Sequence, residues 1–151
     1  MHCRRVGSRA MRFVVDGYNV AHRLFGRDSR KASPEQLRDA LMRRVRRFAS
    51  RRRRVTVVFD GVPGPGARGV HRGTGEVEVL YAPSADDEIV DLVRRSDAPD
   101  RLRVVSRDRE VTGRAAQLGA RIVRVVDFLD WLDEVAGPDV EPGEPPEKYD
   151  P

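Results

Sequence analysis

The sequence predicts an α/β protein built on a parallel β-sheet with helices on both faces. Two observations carry this. Short apolar runs such as Phe13 to Val15, Val55 to Phe59 and Leu102 to Ser106 are nearly continuous rather than alternating, as expected of strands covered on both sides. Between them lie longer amphipathic stretches with apolar residues at helical spacing, and strands alternating with helices imply parallel crossovers. The 151 residues suit one domain with one core, and no internal repeat is visible.

Taken in order, Phe13 to Val15 reads as a buried strand. Ser33 to Ala49 reads as a helix: Ser33 is a good N-cap, Pro34 falls at the first helical position and Gln36 completes a capping box. Leu37, Leu41, Val45 and Phe48 form its buried stripe, with arginines on the other faces. Val55 to Phe59 is a second strand, followed by the Gly/Pro-rich loop DGVPGPGARGVHRGTG. Glu76 to Tyr81 alternates like a third strand, and Ser84 caps a second helix, SADDEIVDLVRR. Leu102 to Ser106 is a fourth strand. The helix REVTGRAAQLG follows, with Val111, Ala115 and Leu118 on one stripe and Gly119 as its stop. Arg121 to Val126 reads as a fifth strand, and the last helix runs from a cap at Asp127 to a stop at Gly137.

Residues 1–10 are expected to form a disordered basic extension, with Met1 or Met11 as the native start, and residues 137–151 a disordered, acidic, proline-rich tail. This leaves 11–136 as the folded domain. The first 54 residues hold 17 Lys/Arg against 4 Asp/Glu, whereas residues 55–136 hold 11 against 15. A basic face suits a polyanion such as nucleic acid, although a solvated helix face in an arginine-rich protein has the same composition. A single cysteine, Cys3, excludes an intrachain disulfide and a cysteine-based zinc site. No run is long enough to span a membrane and the N-terminus lacks an apolar signal region, so a cytoplasmic location is expected.

Ligand crevices in open α/β sheets lie beyond the carboxyl ends of the strands. Acids recur there. The first strand ends on Asp16, the second on Asp60, and the fourth runs into Asp108. Within the second helix, Asp86 falls in the middle of the arc formed by Ile89, Val90 and Val93, whereas Asp87, Glu88 and Asp91 fall on other faces. An acid on a buried face is costly without a partner, so Asp86 is the candidate and Asp87 reads as a capping-box acid. Singly, each acid has an ordinary structural use, since Asp favours turns and first helical turns. As a set they would repel one another, and would need a cation or a proton. Hard divalent Mg²⁺ or Mn²⁺ suits carboxylate oxygens.

Other motifs are weaker. GPGARG, Gly64 to Gly69, matches a dinucleotide fingerprint, but it comes too late after the strand and opens no helix. It reads as a loop, and if that loop covers the site, Arg68, His71 and Arg72 could touch phosphates. His22, one helical turn beyond Asn19, reads as a surface histidine. The basic run RRFASRRRR, Arg46 to Arg54, could bind nucleic acid or simply complement a helix dipole.

The motifs VDGYNV, VVFDG, VEVLYAPSADDEI and VVSRDREV, in that order, resemble those of the YacP-like NYN domain, a branch of the PIN-like nuclease superfamily. The resemblance spans roughly Met11 to Val135. It implies a PIN-like three-layer α/β/α sandwich, a mainly parallel five-stranded sheet in the order 3-2-1-4-5, and a metal-dependent ribonuclease, expected to cut internally in bacterial RNA processing or decay. It implies catalytic roles for Asp16, Asn19, Asp60, Asp86 and Asp108. The four aspartates would hold Mg²⁺ or Mn²⁺, with Asp60 as ligand or orienter and Asn19 orienting water or substrate. Arg43 and Arg47 of the first predicted helix, Arg68 and Arg72 of the loop, and Arg107 would contact RNA. Arg107 departs from the family pattern, where a small residue is usual. The expected partner is RNA, with the ribosome as a further candidate, no membrane, and a monomer or weak dimer. Two competing readings stand beside it: a non-catalytic RNA- or ribosome-binding module of the same fold, and a phosphatase or nucleotide-binding enzyme. The common aspartyl-phosphate D-x-D is absent, since Gly17 and Tyr18 follow Asp16.

Overall fold

A computed structural model describes residues 10–61 and 76–136, and the backbone of 70–72. Its strands are β1 (Met11–Asp16), β2 (Arg53–Asp60), β3 (Val70–Arg72), β4 (Val77–Ala82), β5 (Leu102–Val105) and β6 (Arg121–Val123). Its helices are α1 (Gly17–Phe25), α2 (Pro34–Phe48), α3 (Ala85–Arg95), α4 (Arg109–Gln117) and α5 (Val125–Ala136), with short 3-10 segments at Gly26–Lys31 and Pro99–Arg101. The sheet order is β3-β4-β2-β1-β5-β6. All pairings are parallel except β3 with β4. The five parallel strands thus stand in the expected order 3-2-1-4-5 of the predicted strands, and the α/β sandwich is as anticipated.

Alternate residues of each inner strand face opposite cores, which is why the strands read as continuous apolar runs. Phe13, Val15, Val55, Val57 and Phe59 pack against buried residues of α1, α2 and α5. Val14, Val58 and Val104 pack against α3 and α4. The capping box of α2 forms as read: Ser33 Oγ accepts from the Gln36 N–H, and Gln36 Oε1 accepts from the Ser33 N–H. Gly119, at φ 107°, turns the chain out of α4.

Four details differ from the sequence reading. The residues after Asp16, given no element of their own in the sequence reading, form a helix at once. Val70–Arg72, read as loop, adds an antiparallel edge strand. The last strand stops at Val123, because Val125, Phe128 and Leu132 fall on one helical stripe and are buried in the core. The closing helix therefore begins before Asp127, which is not its cap: the Phe128 N–H bonds to the Arg124 carbonyl, and the Asp127 carboxylate pairs with Arg124 at 3.2 Å. Finally, Asp87 takes part in only half a capping box. Its N–H donates to Ser84 Oγ, while its carboxylate reaches Arg114 at 3.4 Å. The expected disordered termini, residues 1–9 and 137–151, and the loop residues 62–69 with Arg68, lie outside the described residues, as does the side chain of Arg72.

Candidate active site

The central strand β1 has β2 on one side and β5 on the other, and the chain passes to β5 only after completing β2 and β4. The topological switch point therefore lies at the carboxyl ends of β1 and β5, where a crevice is expected. Asp16 closes β1 there and is 6% exposed. It occupies the N-cap position of α1, yet makes no side-chain capping bond. Its Oδ2 instead accepts from the hydroxyl of Ser106, just past β5, at 2.9 Å. Ser106 is itself buried, and its Oγ accepts from the Asp108 N–H at 3.0 Å. One hydroxyl thus joins the ends of two strands.

The helix can start at Asp16 because the next residue has no side chain. A Cβ on Gly17 would run into the ring of Phe59, which is fully buried between Tyr18 and Tyr81. Glycine lets the turn from β1 into α1 press against β2. Two residues on, Asn19 Oδ1 accepts from the Arg107 N–H at 2.8 Å, tying α1 to the loop after β5.

Asp60 ends β2, and its Oδ1 accepts from the Ala85 N–H at 2.7 Å, at the start of α3. Asp86, on the next residue of that helix, is half-buried. Asp108 caps α4, accepting from the Glu110 N–H at 2.9 Å. The structural use anticipated for Asp108 is therefore present alongside its place in the cluster.

The carboxylates feel one another. Burial, opposed by the Ser106 hydrogen bond and reinforced by the charges of Asp86, Asp60 and Asp108, pushes the Asp16 carboxyl up to about 6. Asp86 is likewise pushed up, by burial first and then by Asp108 and Asp60. Such mutual repulsion marks a place where positive charge would be welcome. The donors are all hard oxygens, which fit Mg²⁺ or Mn²⁺. Among the described residues, no three His, Cys, Asp or Glu side chains are gathered tightly enough to hold an ion as they stand.

Residues 13–140, well over half of the chain, match the model of the YacP-like NYN domain. The chain belongs to the YacP-like NYN family. This is a family of PIN-like nucleases, and the five parallel strands carry that fold. Two crystal structures of Rae1 (YacP) from Bacillus subtilis are similar to this YacP-like domain. One, of a single-site mutant, has 22% identity and a TM-score of 0.61, covering 82% of this chain and 75% of that one. The other has 22% identity and a TM-score of 0.60, covering 80% and 72%. At that identity the likeness is one of fold. No curated protein matches the chain.

The arginines expected at RNA divide by position. Arg107 is exposed beside Asn19 and Ser106. Arg43 and Arg47 lie in the second half of α2, which leads to the opposite edge of the sheet, where β2 begins. Arg46, Arg51 and Arg52 lie toward that edge too. Nearer the acids is Arg38, whose Nη1 donates to the Tyr18 hydroxyl at 2.7 Å and whose guanidinium stands 5.9 Å from the Tyr81 ring centre. His22 is exposed. Sequence reasoning passed over Ser106 as a functional group. Its signal was present, since a polar residue closing an apolar strand two positions before an acid must find a buried partner. A separate groove of about 420 Å³ lies among Arg12, Thr56 and Glu78, toward the opposite edge from the acids, and an Arg12–Glu78 ion pair at 3.0 Å lines it.

Proposed function

We propose that this protein is a metal-dependent endoribonuclease, hydrolysing RNA phosphodiester bonds through Mg²⁺ or Mn²⁺ held at the carboxyl edge of the sheet. The observation that carries the reading is Asp16: a buried carboxylate at a helix N-cap that does not cap, raised first by burial and further by three neighbouring carboxylates. A purely structural aspartate would have no reason to accept that cost. Membership of a PIN-like nuclease family supports the same chemistry.

Asp16, Asp86 and Asp108 would hold the cation, their side chains drawing together around it, with Asp60 fixed against α3 as a further ligand or orienter. When bound, the metal would supply Lewis acidity, making a bound water nucleophilic at neutral pH and stabilising the leaving oxygen. Ser106 donates to one oxygen of Asp16, and the other would be the one to meet the cation. Asn19 acts first as a positioning residue, because its carbonyl oxygen fixes the loop that carries Arg107 and Asp108. Its amide nitrogen would orient water or substrate. Arg107 supplies positive charge beside the acids. RNA is the substrate in this reading, and bacterial RNA processing or decay the setting.

The test is cleavage of end-labelled RNA in Mn²⁺. Internal products, lost with EDTA and reduced about a hundred- to a thousandfold by Asp16→Asn, are expected for removal of a central metal ligand, since a single transition-state stabilising group contributes on that order. Unchanged cleavage in EDTA or in Asp16→Asn contradicts the metal assignment. Tight RNA binding with no cleavage in any divalent metal would instead favour a non-catalytic binding module.

A further inference from the structure

Beside the carboxylates the surface changes sign. A groove of about 360 Å³ opens at Ser106 and is lined by Arg23, Arg107, Arg109 and Arg124, with Ile122 on its apolar side. A second groove of about 620 Å³ shares Arg23 and continues over the end of α1 and the 3-10 segment, past Arg27 and Arg30. No acid lines either groove among the described residues. All six arginines are exposed. Of the six, Arg124 is engaged by Asp127 at 3.2 Å, and Asp28 stands exposed in the same 3-10 segment as Arg27 and Arg30. Of the arginines expected at RNA from the sequence, Arg107 lies in this groove, whereas Arg43 and Arg47 lie on α2.

We propose that these two grooves form one track for a single-stranded RNA, running from the carboxylates at Arg107 and Arg109, past Arg23, to Arg27 and Arg30. The proposal rests on the nuclease reading and adds the path of the substrate. A positive groove that follows the backbone is how single strands are held without regard to sequence. The track has no aromatic side chain among its lining residues, so phosphate contacts dominate, and these position the strand rather than read it. Ile122, 39% exposed, offers one apolar surface to a base next to the site. Arginine suits the task because its planar fork meets phosphate oxygens in pairs.

The experiment compares Arg23→Glu/Arg27→Glu/Arg30→Glu with a charge-matched variant at the opposite edge, Arg46→Glu/Arg51→Glu/Arg52→Glu. Affinity for fluorescent oligouridylates of about 20 and about 4 nucleotides is measured by anisotropy in EDTA, and cleavage in Mn²⁺ in parallel, lengths chosen to exceed and to fall short of a single-strand site. The track variant is expected to lose about tenfold or more in affinity for the long oligomer, with a smaller loss on the short one. The slope of log affinity against log salt should flatten by about 2, from roughly 0.7 per phosphate contact on single strands. The opposite-edge variant should lose much less. Replacing the same three track residues by Gln, with thermal unfolding to check the fold, should give the same direction with a smaller size. Equal losses from both charge reversals, or wild-type affinity in the track variant, would overturn the track. Absence of cleavage by the wild type, with binding still lost in the track variant, would sink the nuclease reading and leave the track standing.

Discussion

Asp16 is held where its charge is unfavourable, and that has a measurable cost. Its carboxyl is pushed up to about 6 by burial and by the neighbouring acids, against 3.8 for an unhindered aspartate. Below about pH 4 it is protonated in both folded and unfolded chains and contributes no penalty. As pH rises toward 6 the unfolded chain releases the proton first, so stability falls across that window, by about 3 kcal/mol in all, and then levels off. Asp16→Asn should therefore be more stable than the wild type at pH 7, by about 1–3 kcal/mol, with little difference at pH 4, as read by urea denaturation at the two pH values. It should also be inactive. The hydroxyl of Ser106 works in the opposite direction, favouring the ionised form of Asp16. Ser106→Ala should shift the acid limb of the pH–rate profile to higher pH while Asn19 and Asp60 keep their backbone partners. An unshifted limb would mean that the hydroxyl only holds the loop.

At the scale of elements, the site depends on a strand passing directly into a helix, and Gly17 permits it. Gly17→Ala should cost about 1–3 kcal/mol, because the ring of Phe59 lies in the way and is locked between Tyr18 and Tyr81. Tyr18 and its partner Arg38 should move with it, which an added quenching or crystallographic comparison would reveal. This element was only half visible in the sequence. Asp16 is a residue type favoured at a helix N-cap, and His22 stands one helical turn beyond Asn19, but no capping box or proline marks the start and the Asp16 side chain is used elsewhere. The helix of Pro34–Phe48, by contrast, was plain, since its cap, proline and stripe all agree. The end of β6 misled for a different reason: Val125 and Val126 are β-branched and apolar, and only the spacing to Phe128 and Leu132 shows that they belong to a helix. The acids were legible because they follow apolar runs at one sheet edge. Of the basic track only Arg107 was legible, because Arg23, Arg107 and Arg124 are far apart in the chain and meet only through the fold.

Across the whole molecule, charge is sorted around one edge of the sheet: carboxylates at the switch point, arginines in the grooves beside it. No helix among the described residues is long and apolar enough to cross a membrane. Because a cation would relieve the repulsion in the folded state alone, Mn²⁺ at about a hundred times its dissociation constant should stabilise the wild type at pH 7 by about 2.7 kcal/mol, and Asp16→Asn far less. Thermal unfolding with and without Mn²⁺ would show the difference. The most direct measurement is the anomalous diffraction of a manganese-soaked crystal. We predict a manganese peak among Asp16, Asp86 and Asp108, with their carboxylates drawn in around it and Asp60 alongside. Full occupancy elsewhere on the chain, with this edge empty and its four aspartates apart, in a protein that still cuts RNA, would contradict the account.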